Sequence, residues 1–235
     1  MIFLKMLQGK LTSNYTINSD SGIFTFLNPY SYLIARKNEI IYDQFDGVYI
    51  DGKMLINLFE IFKISSENRV SFDMTSLAPC VFEYAIQNNK SVCFIGGEEN
   101  VAKRATEVFI GQYPSLQVSG VYKGFFSCEH ERELIIDDIV RKKPDFVIAS
   151  MGVPYQECFL IDLKSMGWNG VGYTCGGFFH QTAKRGLDYY PEWMNAMNLR
   201  WLYRIFDEPK LIKRYSYEYM KFIIIFIYDY WKFKK

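Results

Sequence analysis

SVCFIGGEENVAKRATEVFIGQ, residues 91–112, is the stretch that decides the fold of this chain. Its residues 92–95 are apolar without alternation, two glycines follow, and the remainder is long enough for a helix. PDFVIASMG at residues 144–152 repeats this order and precedes a second helix-length segment at 156–166. Uninterrupted apolar strands are typical of a parallel sheet that helices cover on both faces. The two stretches therefore predict an α/β fold.

Three flanking segments continue the alternation of strands and helices. GIFTFLN at 22–28 precedes a helix-like segment at 29–38, GVYI at 47–50 has the composition of a short strand, and GVGYTCGG at 170–177 that of another. Together they predict a Rossmann-like, mostly parallel sheet flanked by helices. Ligands of such sheets bind beyond the carboxyl ends of the strands, so the residues directly after each strand are the candidates for chemistry.

The composition excludes several classes of protein. Of the 235 residues, 49% are hydrophobic and 23% are charged, which fits a folded chain with a substantial core. The net charge of +1 lacks the basicity of nucleic-acid-binding proteins, so we expect no nucleic-acid partner. Five cysteines without paired spacing favour a reducing, cytoplasmic location. The longest apolar run, 222–228, is too short for a membrane span, which needs about 20 residues.

The C-terminal part of the chain differs in charge and in aromatic content. Residues 200–235 contain nine Lys and Arg against four Asp and Glu, a net charge of +5. Projected as a helix, the segment gathers its cations on one face and many of its apolar side chains on the opposite face. The basic face has Lys210, Lys213, Arg214 and Lys221, and the apolar face has Leu211, Ile212, Tyr215, Tyr219, Phe222, Ile223 and Phe226.

This amphipathic pattern has two interpretations. It is typical of a helix that lies in an anionic membrane surface. It is also typical of a C-terminal helix that packs on its own domain with a basic outer face, and amphipathicity alone does not distinguish the two. The surplus of aromatic residues and the terminal lysines favour the membrane. We therefore expect an α/β body at residues 1–190 and a helical, membrane-associating appendage at 191–235.

Two predicted strand ends carry candidate binding groups. Gly96 and Gly97 open a helix, where main-chain N–H groups and the helix dipole can meet a phosphate. A glycine turn without a complete dinucleotide or P-loop motif is, however, more often only a turn. Gln156 and Glu157 suit hydrogen bonds to sugar hydroxyls, but glutamate in a first helical turn is also ordinary capping chemistry. The local sequence leaves both pairs open.

One carboxylate is placed for acid–base chemistry. Asp51 follows the strand at 47–50 and is a candidate general base, although Asp51-Gly52 and its competitor Asp46-Gly47 both match a common turn dipeptide. The two histidines lack metal-ligand spacing, and the sequence contains no Asp-x-Asp motif. We therefore expect no metal and no cofactor, and any diphosphate would be held by Arg, Lys and backbone donors.

In their order and spacing, these segments resemble the TagA/WecG/CpsF glycosyltransferases, glycosyltransferase family 26, over roughly residues 20–215. The matching pieces are Asn28-Pro29, Asp51-Gly52, NRVSFD around Arg69, FIGGEENVAKRA, YPSLQVSGVYKGFF, PDFVIASMGVPYQE, GVGYTCGGFF and LRWLYRIFDEPKLIKRY. The resemblance implies a metal-independent inverting enzyme that moves a hexosamine-type sugar from a UDP-sugar to a polyprenyl-diphosphate-linked sugar. Such transfers build bacterial surface polysaccharide or teichoic acid. The implied location is peripheral, on the cytoplasmic face of the cell membrane.

The resemblance also implies roles for individual residues of the body. It places the general base at Asp51, an acceptor-side group at Asn28, and polar active-site groups at Arg69 and Gln156. Glu157 completes the Pro-x-Gln-Glu pattern, and we count it among the substrate-binding candidates. The assignment of the glycine turn to the nucleotide or diphosphate follows from its strand-end position alone.

The resemblance further implies that the appendage recruits the enzyme to the membrane and completes the active site there. Its candidates for the diphosphate are Arg204, Lys213 and Arg214, because a cation at that place stabilises the charge that develops on a leaving UDP.

Two alternative functions remain open from the sequence. One alternative is a catalytically silent, membrane-associated scaffold of the same fold. A weaker one is a nicotinamide-dependent oxidoreductase that uses the glycine turn. We also count a homo-oligomer among the candidate partners.

Overall fold

A computed structural model describes residues 3–15, 17, 19–187, 202, 205–206 and 211–235. The described part contains one six-stranded sheet in which every pairing is parallel, in the order β2-β1-β6-β5-β3-β4. Its strands are β1 (Gly22–Leu27), β2 (Gly47–Ile50), β3 (Ser91–Gly96), β4 (Gln117–Tyr122), β5 (Phe146–Ser150) and β6 (Val171–Thr174). The predicted α/β fold with a Rossmann-like sheet is confirmed.

Helices follow or precede every strand. They are α1 (Phe3–Lys10), α2 (Pro29–Lys37), α3 (Glu39–Tyr42), α4 (Lys53–Ile61), α5 (Leu77–Gln87), α6 (Glu99–Gln112), α7 (Glu129–Lys142), α8 (Tyr155–Ser165) and α9 (Phe178–Arg185). The C-terminal segment adds α10 (Leu211–Lys213), a π-helical stretch (Arg214–Glu218) and α11 (Tyr219–Phe233).

The strands bury both faces of the sheet, as their uninterrupted apolar sequences predict. In β5, Phe146 and Ile148 pack with α5, α6 and α9, whereas Val147 and Ala149 pack with α7 and α8. Successive side chains of a strand point to opposite faces, so each strand supplies both cores. We call the two sides the α5 face and the α8 face; α1, α2, α4 and α11 also lie on the α8 face, over β1 and β2.

The connections diverge at the middle of the sheet. Strand β6 leads into α9 on the α5 face, whereas its neighbours β1 and β5 lead into α2 and α8 on the α8 face. Adjacent loops that leave a parallel sheet in opposite directions open a crevice at the carboxyl ends of the strands, where ligands of such folds bind. The fold therefore places a ligand crevice beside the ends of β1, β6 and β5.

The C-terminal helix α11 packs on the body. Phe222 and Phe226 are fully buried in the core that α11 shares with α1, α2 and α4. Asp229, 4% exposed, accepts hydrogen bonds from Tyr32 Oη at 3.0 Å and from Arg36 Nε at 2.7 Å. Phe222 and Phe226 belong to the apolar face that was assigned to the membrane on amphipathicity. Since they are core residues, the second interpretation, a C-terminal helix packed on its own domain, applies to this face.

A different side of the same segment is exposed and apolar. Tyr217, Met220, Ile224, Ile227, Tyr228 and Trp231, which we call the outer stripe, recur every three or four residues and have exposed fractions between 39% and 68%. Such spacing places side chains on one face of a helix. Across the described ranges, we find no helix with both the length and the apolarity that a bilayer crossing demands. The proposed boundary at residues 190 and 191 falls outside the described residues.

Candidate active site

Asp51 stands at the carboxyl end of β2, next to the end of β1. Its main-chain N–H donates to the Leu27 carbonyl at 2.7 Å, which extends the parallel pairing by one residue. The side chain is 36% exposed, and its Oδ1 accepts a hydrogen bond from Arg69 Nη2 at 2.8 Å. A bond to an arginine orients a carboxylate and stabilises its charged form. Asp51 is therefore an oriented and accessible carboxylate at the edge where ligands are expected.

Arg69 reaches Asp51 because its segment runs alongside β2. The Val70 N–H donates to the Ile50 carbonyl at 3.0 Å, so the backbone that carries Arg69 is held next to the strand end. The same guanidinium donates to Ser71 Oγ at 3.1 Å and lies 3.9 Å from Asp73. Asp73 was not among the candidates predicted from the sequence, although its i+4 spacing from Arg69 could have indicated it.

Asn28 directly follows β1 and caps α2. Its Oδ1 accepts hydrogen bonds from the N–H groups of Tyr30 and Ser31, both at 3.0 Å, while Ser31 Oγ accepts from the Asn28 N–H. This reciprocal pair is a capping box. Within the described chain, Asn28 Nδ2 has no hydrogen-bond partner, which leaves this amide as the group that can meet a ligand. Asn28 and Asp51 are brought together by the pairing of β1 with β2.

The C-terminal segment reaches the same edge through Arg214. Its guanidinium carbon lies 3.7 Å from the centre of the Tyr30 ring, within the first turn of the helix that Asn28 caps. Contact of this kind between an arginine and an aromatic face is attractive. Lys213 is exposed on α10. Arg204 lies outside the described residues, so its role stays a prediction.

Gln156 and Glu157 lie in the first turn of α8 and are buried, at 3% and 0% exposure. Glu157 Oε1 accepts hydrogen bonds from Thr25 Oγ1 at 2.9 Å and from Gln156 Nε2 at 3.0 Å. Gln156 Oε1 in turn accepts from the Gly176 N–H at 3.1 Å. The two side chains thus form hydrogen bonds to protein groups beneath the crevice. This differs from both sequence interpretations, helix capping and direct contact with a sugar.

The remaining oxygen of Glu157 is isolated. Its Oε2 is buried and has no hydrogen-bond partner among the described residues, and the same holds for the hydroxyl of the nearby Tyr42. Tyr42 is close enough to lower the pKa of Glu157 slightly, but no aligned hydrogen bond joins them. Burial dominates and raises the pKa of Glu157 from 4.5 to about 7, with hydrogen bonds from Gln156 and Thr25 offsetting part of that effect.

The glycine turn after β3 is tightly packed. A Cβ on Gly96 would lie 2.3 Å from the Ser150 carbonyl oxygen, so the residue has to be glycine. Gly97, at φ +60°, donates its N–H to that same carbonyl at 3.0 Å, and its own carbonyl accepts from the Gly124 N–H. The Gly97 N–H is therefore occupied by β5. These contacts account for both glycines without a phosphate, and their role toward a nucleotide stays a prediction.

The competitor of Asp51 lies at the other end of the sheet. Asp46 precedes β2, and its Oδ2 accepts hydrogen bonds from the Ile23 N–H and from Lys164 Nζ, both at 2.8 Å. This carboxylate joins the amino-terminal ends of β1 and β2 and is remote from the crevice. Its surroundings explain it as a structural turn residue, whereas Asp51 lies at the carboxyl end of β2, where ligands are expected.

The parallel sheet, with an oriented carboxylate beside the Arg69 guanidinium at the edge where ligands of such sheets bind, has the arrangement of an α/β enzyme. The sequence model of the glycosyl transferase WecG/TagA/CpsF family matches residues 9–235. The chain therefore belongs to the WecG/TagA/CpsF family of glycosyltransferases. The resemblance that the motifs indicated is confirmed, as is the expected enzyme class.

Individual relatives agree with this assignment. The chain is 39% identical over 208 residues, 88% of its length and 86% of the relative's, to the UDP-Gal:alpha-D-GlcNAc-diphosphoundecaprenol beta-1,4-galactosyltransferase of Shigella boydii. It is 29% identical over 133 residues, 55% of its length and 49% of the relative's, to the N-acetylglucosaminyldiphosphoundecaprenol N-acetyl-beta-D-mannosaminyltransferase of Bacillus subtilis (strain 168). An enzyme with the latter description from Bacillus spizizenii is 24% identical over 85% of this chain and 72% of its own.

Proposed function

We propose that this enzyme transfers a hexose or an N-acetylhexosamine from a UDP-sugar to the GlcNAc of a GlcNAc-diphosphopolyprenol, with galactose as the first candidate sugar and N-acetylmannosamine as the second. The descriptions of the relatives support these substrates, and the similarity to the galactosyltransferase spans most of both chains. The observation that carries the proposal is the Asp51 carboxylate, oriented by Arg69 beside the Asn28 cap.

Asp51 acts as the general base in this proposal. The acceptor hydroxyl donates its proton to the carboxylate as its oxygen attacks the anomeric carbon, and the bond from that carbon to the UDP oxygen breaks on the opposite side. The sugar is transferred with inversion, and UDP leaves with the electron pair of the broken bond. Asn28 Nδ2 is placed to orient the acceptor, and Arg69 holds Asp51 in the attacking geometry.

Cations stabilise the departing UDP. Arg214 packs on Tyr30, whose N–H is capped by Asn28, and is thereby held at the acceptor side of the site. Arg204 and Lys213 are further candidates from the family resemblance. A positive group near the diphosphate stabilises the transition state more than the ground state, because charge accumulates as the glycosidic bond breaks. We propose that this stabilisation needs no metal ion.

A panel of donors tests the proposed reaction. Purified enzyme is incubated with UDP-galactose, UDP-ManNAc, UDP-GlcNAc or UDP-glucose and a synthetic GlcNAc-diphospholipid, with EDTA or with Mg²⁺, and products are identified by mass spectrometry. We expect one added hexose, largely from UDP-galactose, at rates that EDTA leaves unchanged. Absence of transfer from every donor would refute the function, and loss of transfer in EDTA would refute metal independence.

We also propose that the outer stripe docks the enzyme on an anionic membrane, at the cytoplasmic face. The stripe is apolar and aromatic, and Lys213, Lys221, Lys232, Lys234 and Lys235 belong to the same C-terminal segment. Insertion of apolar side chains combined with attraction of lysines to anionic lipids, about 1 kcal/mol for each lysine near the surface, is typical of peripheral membrane helices. Docking there would bring the enzyme to a lipid-linked acceptor.

Vesicle binding tests the membrane proposal. The double substitution Ile224→Asp and Trp231→Ala is compared with Ile40→Asp, a matched change at an exposed isoleucine on α3. We expect the double variant to lose binding to vesicles that contain phosphatidylglycerol, and the Ile40 variant to keep it. Unchanged partitioning of the double variant would refute docking through the stripe. A wild-type dimer in sedimentation that the double variant does not form would assign the stripe to self-association instead.

A further inference from the structure

A continuous chain of hydrogen bonds runs beneath the crevice. It begins on β1, where Thr25 Oγ1 donates to Glu157 Oε1, and continues through Gln156 to the Gly176 N–H. On the other side of Gly176, its carbonyl accepts from Ser150 Oγ at 2.6 Å. The chain thus links β1, the loop after β6 and the end of β5, which are neighbours in the sheet, to the first turn of α8.

The donors and acceptors of this chain have one consistent arrangement. Because the Thr25 hydroxyl has a single proton and gives it to Glu157, the contact of 2.9 Å between Thr25 and Thr174 requires Thr174 to donate. Gln156 presents its oxygen to Gly176 and its amide nitrogen to Glu157, so its orientation is determined as well. Glu157 is the acceptor on which both the threonine and the glutamine depend.

Each end of this network is joined through the backbone to a proposed substrate group. Thr25 is three residues before Asn28 on the strand that pairs with the Asp51 strand. At the other end, the Ser150 main-chain carbonyl receives the Gly97 N–H of the glycine turn. A shift of Glu157 or Gln156 would therefore change the spacing between two edges of the crevice. The acceptor edge, at β1 and β2, has Asn28 and Asp51, and the donor edge, at β5 and β3, has the glycine turn for which the sequence predicts a contact with the nucleotide.

We infer that Glu157 is a positioning residue of the glycosyl transfer, which holds the acceptor edge and the donor edge of the crevice at reacting distance without touching either substrate. The inference rests on the proposed function and revises the expectation that Glu157 binds substrate. Complete burial and two accepted hydrogen bonds support it. Buried side-chain networks of this kind fix geometry because leaving one member unpaired is costly.

The ratio of transfer to hydrolysis distinguishes positioning from a merely structural role. Transfer requires acceptor and donor in register, whereas slow hydrolysis of the bound UDP-sugar requires only the donor and water. A variant that is partly unfolded loses both rates in proportion. A variant whose edges are displaced loses transfer more than hydrolysis, because misplacement of about 1 Å can lower a rate by about 100-fold.

The experiment compares Glu157→Leu, which removes the acceptor oxygens, with Glu157→Gln, which keeps one oxygen for Thr25 and Gln156. UDP release is measured from UDP-galactose with and without the GlcNAc-diphospholipid, or from whichever donor the wild-type enzyme accepts. We expect Glu157→Leu to lower the ratio of transfer to hydrolysis about tenfold or more while UDP affinity is preserved. We expect Glu157→Gln to restore the ratio to within about threefold of wild type, because the acceptor is retained.

A second variant keeps the test decisive if Glu157→Leu does not fold. Thr25→Val is nearly isosteric, removes the hydroxyl that donates to Glu157, and should lower the same ratio in a smaller degree. If Glu157→Leu folds and its ratio of transfer to hydrolysis equals that of wild type, the inference is overturned. If Glu157→Leu does not fold, an unchanged ratio in Thr25→Val overturns it. In both cases transfer by the wild-type enzyme still supports the proposed function. Absence of transfer by the wild-type enzyme would overturn both.

Discussion

The buried carboxyl of Glu157 predicts a specific pH dependence of stability. In the folded protein, burial raises its pKa to about 7, whereas in the unfolded chain it returns to the ordinary 4.5. Between these values the folded state binds the proton more tightly than the unfolded state does. Stability contributed by this group is therefore complete below about pH 4.5, decreases as the pH rises to about 7, and is constant above that.

The size of this effect follows from the two pKa values. One pKa unit corresponds to about 1.4 kcal/mol, so a rise from 4.5 to about 7 corresponds to about 3 kcal/mol of stability lost between pH 4.5 and pH 8. Glu157→Gln replaces the carboxyl by a neutral amide of the same shape, which does not titrate. The free energy of unfolding of wild type should therefore decline relative to that of Glu157→Gln by about 3 kcal/mol over this range.

Urea unfolding followed by tryptophan fluorescence at several pH values measures the difference directly. Other titrating groups affect wild type and variant alike, so they cancel in the comparison. Glu107→Gln, a matched change at an exposed glutamate on α6, should show no such divergence from wild type. If the free energies of unfolding of wild type and Glu157→Gln differ by the same amount from pH 4.5 to pH 8, the description of Glu157 as a carboxyl whose pKa is raised by burial is refuted.

Three further predictions concern stability and geometry elsewhere. Phe226→Ala should lower the free energy of unfolding, measured in urea, by about 3–5 kcal/mol, because the ring is fully buried between α11 and the body. A decrease of less than about 1 kcal/mol, as for an exposed side chain, would argue that α11 is not docked. Gly96→Ala should prevent stable folding, because its Cβ would overlap the Ser150 carbonyl. The control is Gly111→Ala in α6, where a Cβ meets no atom within 4 Å; its free energy of unfolding should be unchanged or higher by up to about 1 kcal/mol in the same assay. Arg69→Met should lower kcat about tenfold or more with little change in UDP affinity, since it releases Asp51 from its oriented geometry; unchanged kcat in steady-state assays would remove Arg69 from that role.

The sheet was predictable where strands are buried on both faces. β3 and β5 have uninterrupted apolar sequences, and two glycines mark the end of β3. β4 was not predicted as a strand, because it lies at the edge of the sheet, is partly exposed, and contains Ser119 and Gly120 instead of an apolar run. Periodicity identifies strands through burial, so a half-exposed edge strand has little signal.

The site was predictable in its positions and less so in its contacts. Asn28 and Asp51 were predicted because each directly follows a strand and ligands of parallel sheets bind at that edge. The register of β1 with β2 brings the two residues together. Position after a strand did not indicate that Gln156 and Glu157 point beneath the crevice, because burial of a polar side chain depends on its partner on a distant strand. In the same way, amphipathicity did not reveal which face of α11 meets the body, since both its sides carry apolar residues.

The central claim is that Asp51 takes the proton of the acceptor hydroxyl, and Asp51→Asn tests it most directly. Asp46→Asn is the matched control, since Asp46 lies at the other end of the same two strands and an asparagine oxygen can still accept from the Ile23 N–H. We predict that Asp51→Asn lowers kcat for transfer by about 10²–10⁴-fold and leaves UDP binding by calorimetry within about threefold, whereas Asp46→Asn keeps most of the activity. Transfer by the Asp51→Asn enzyme at the wild-type rate would contradict the account.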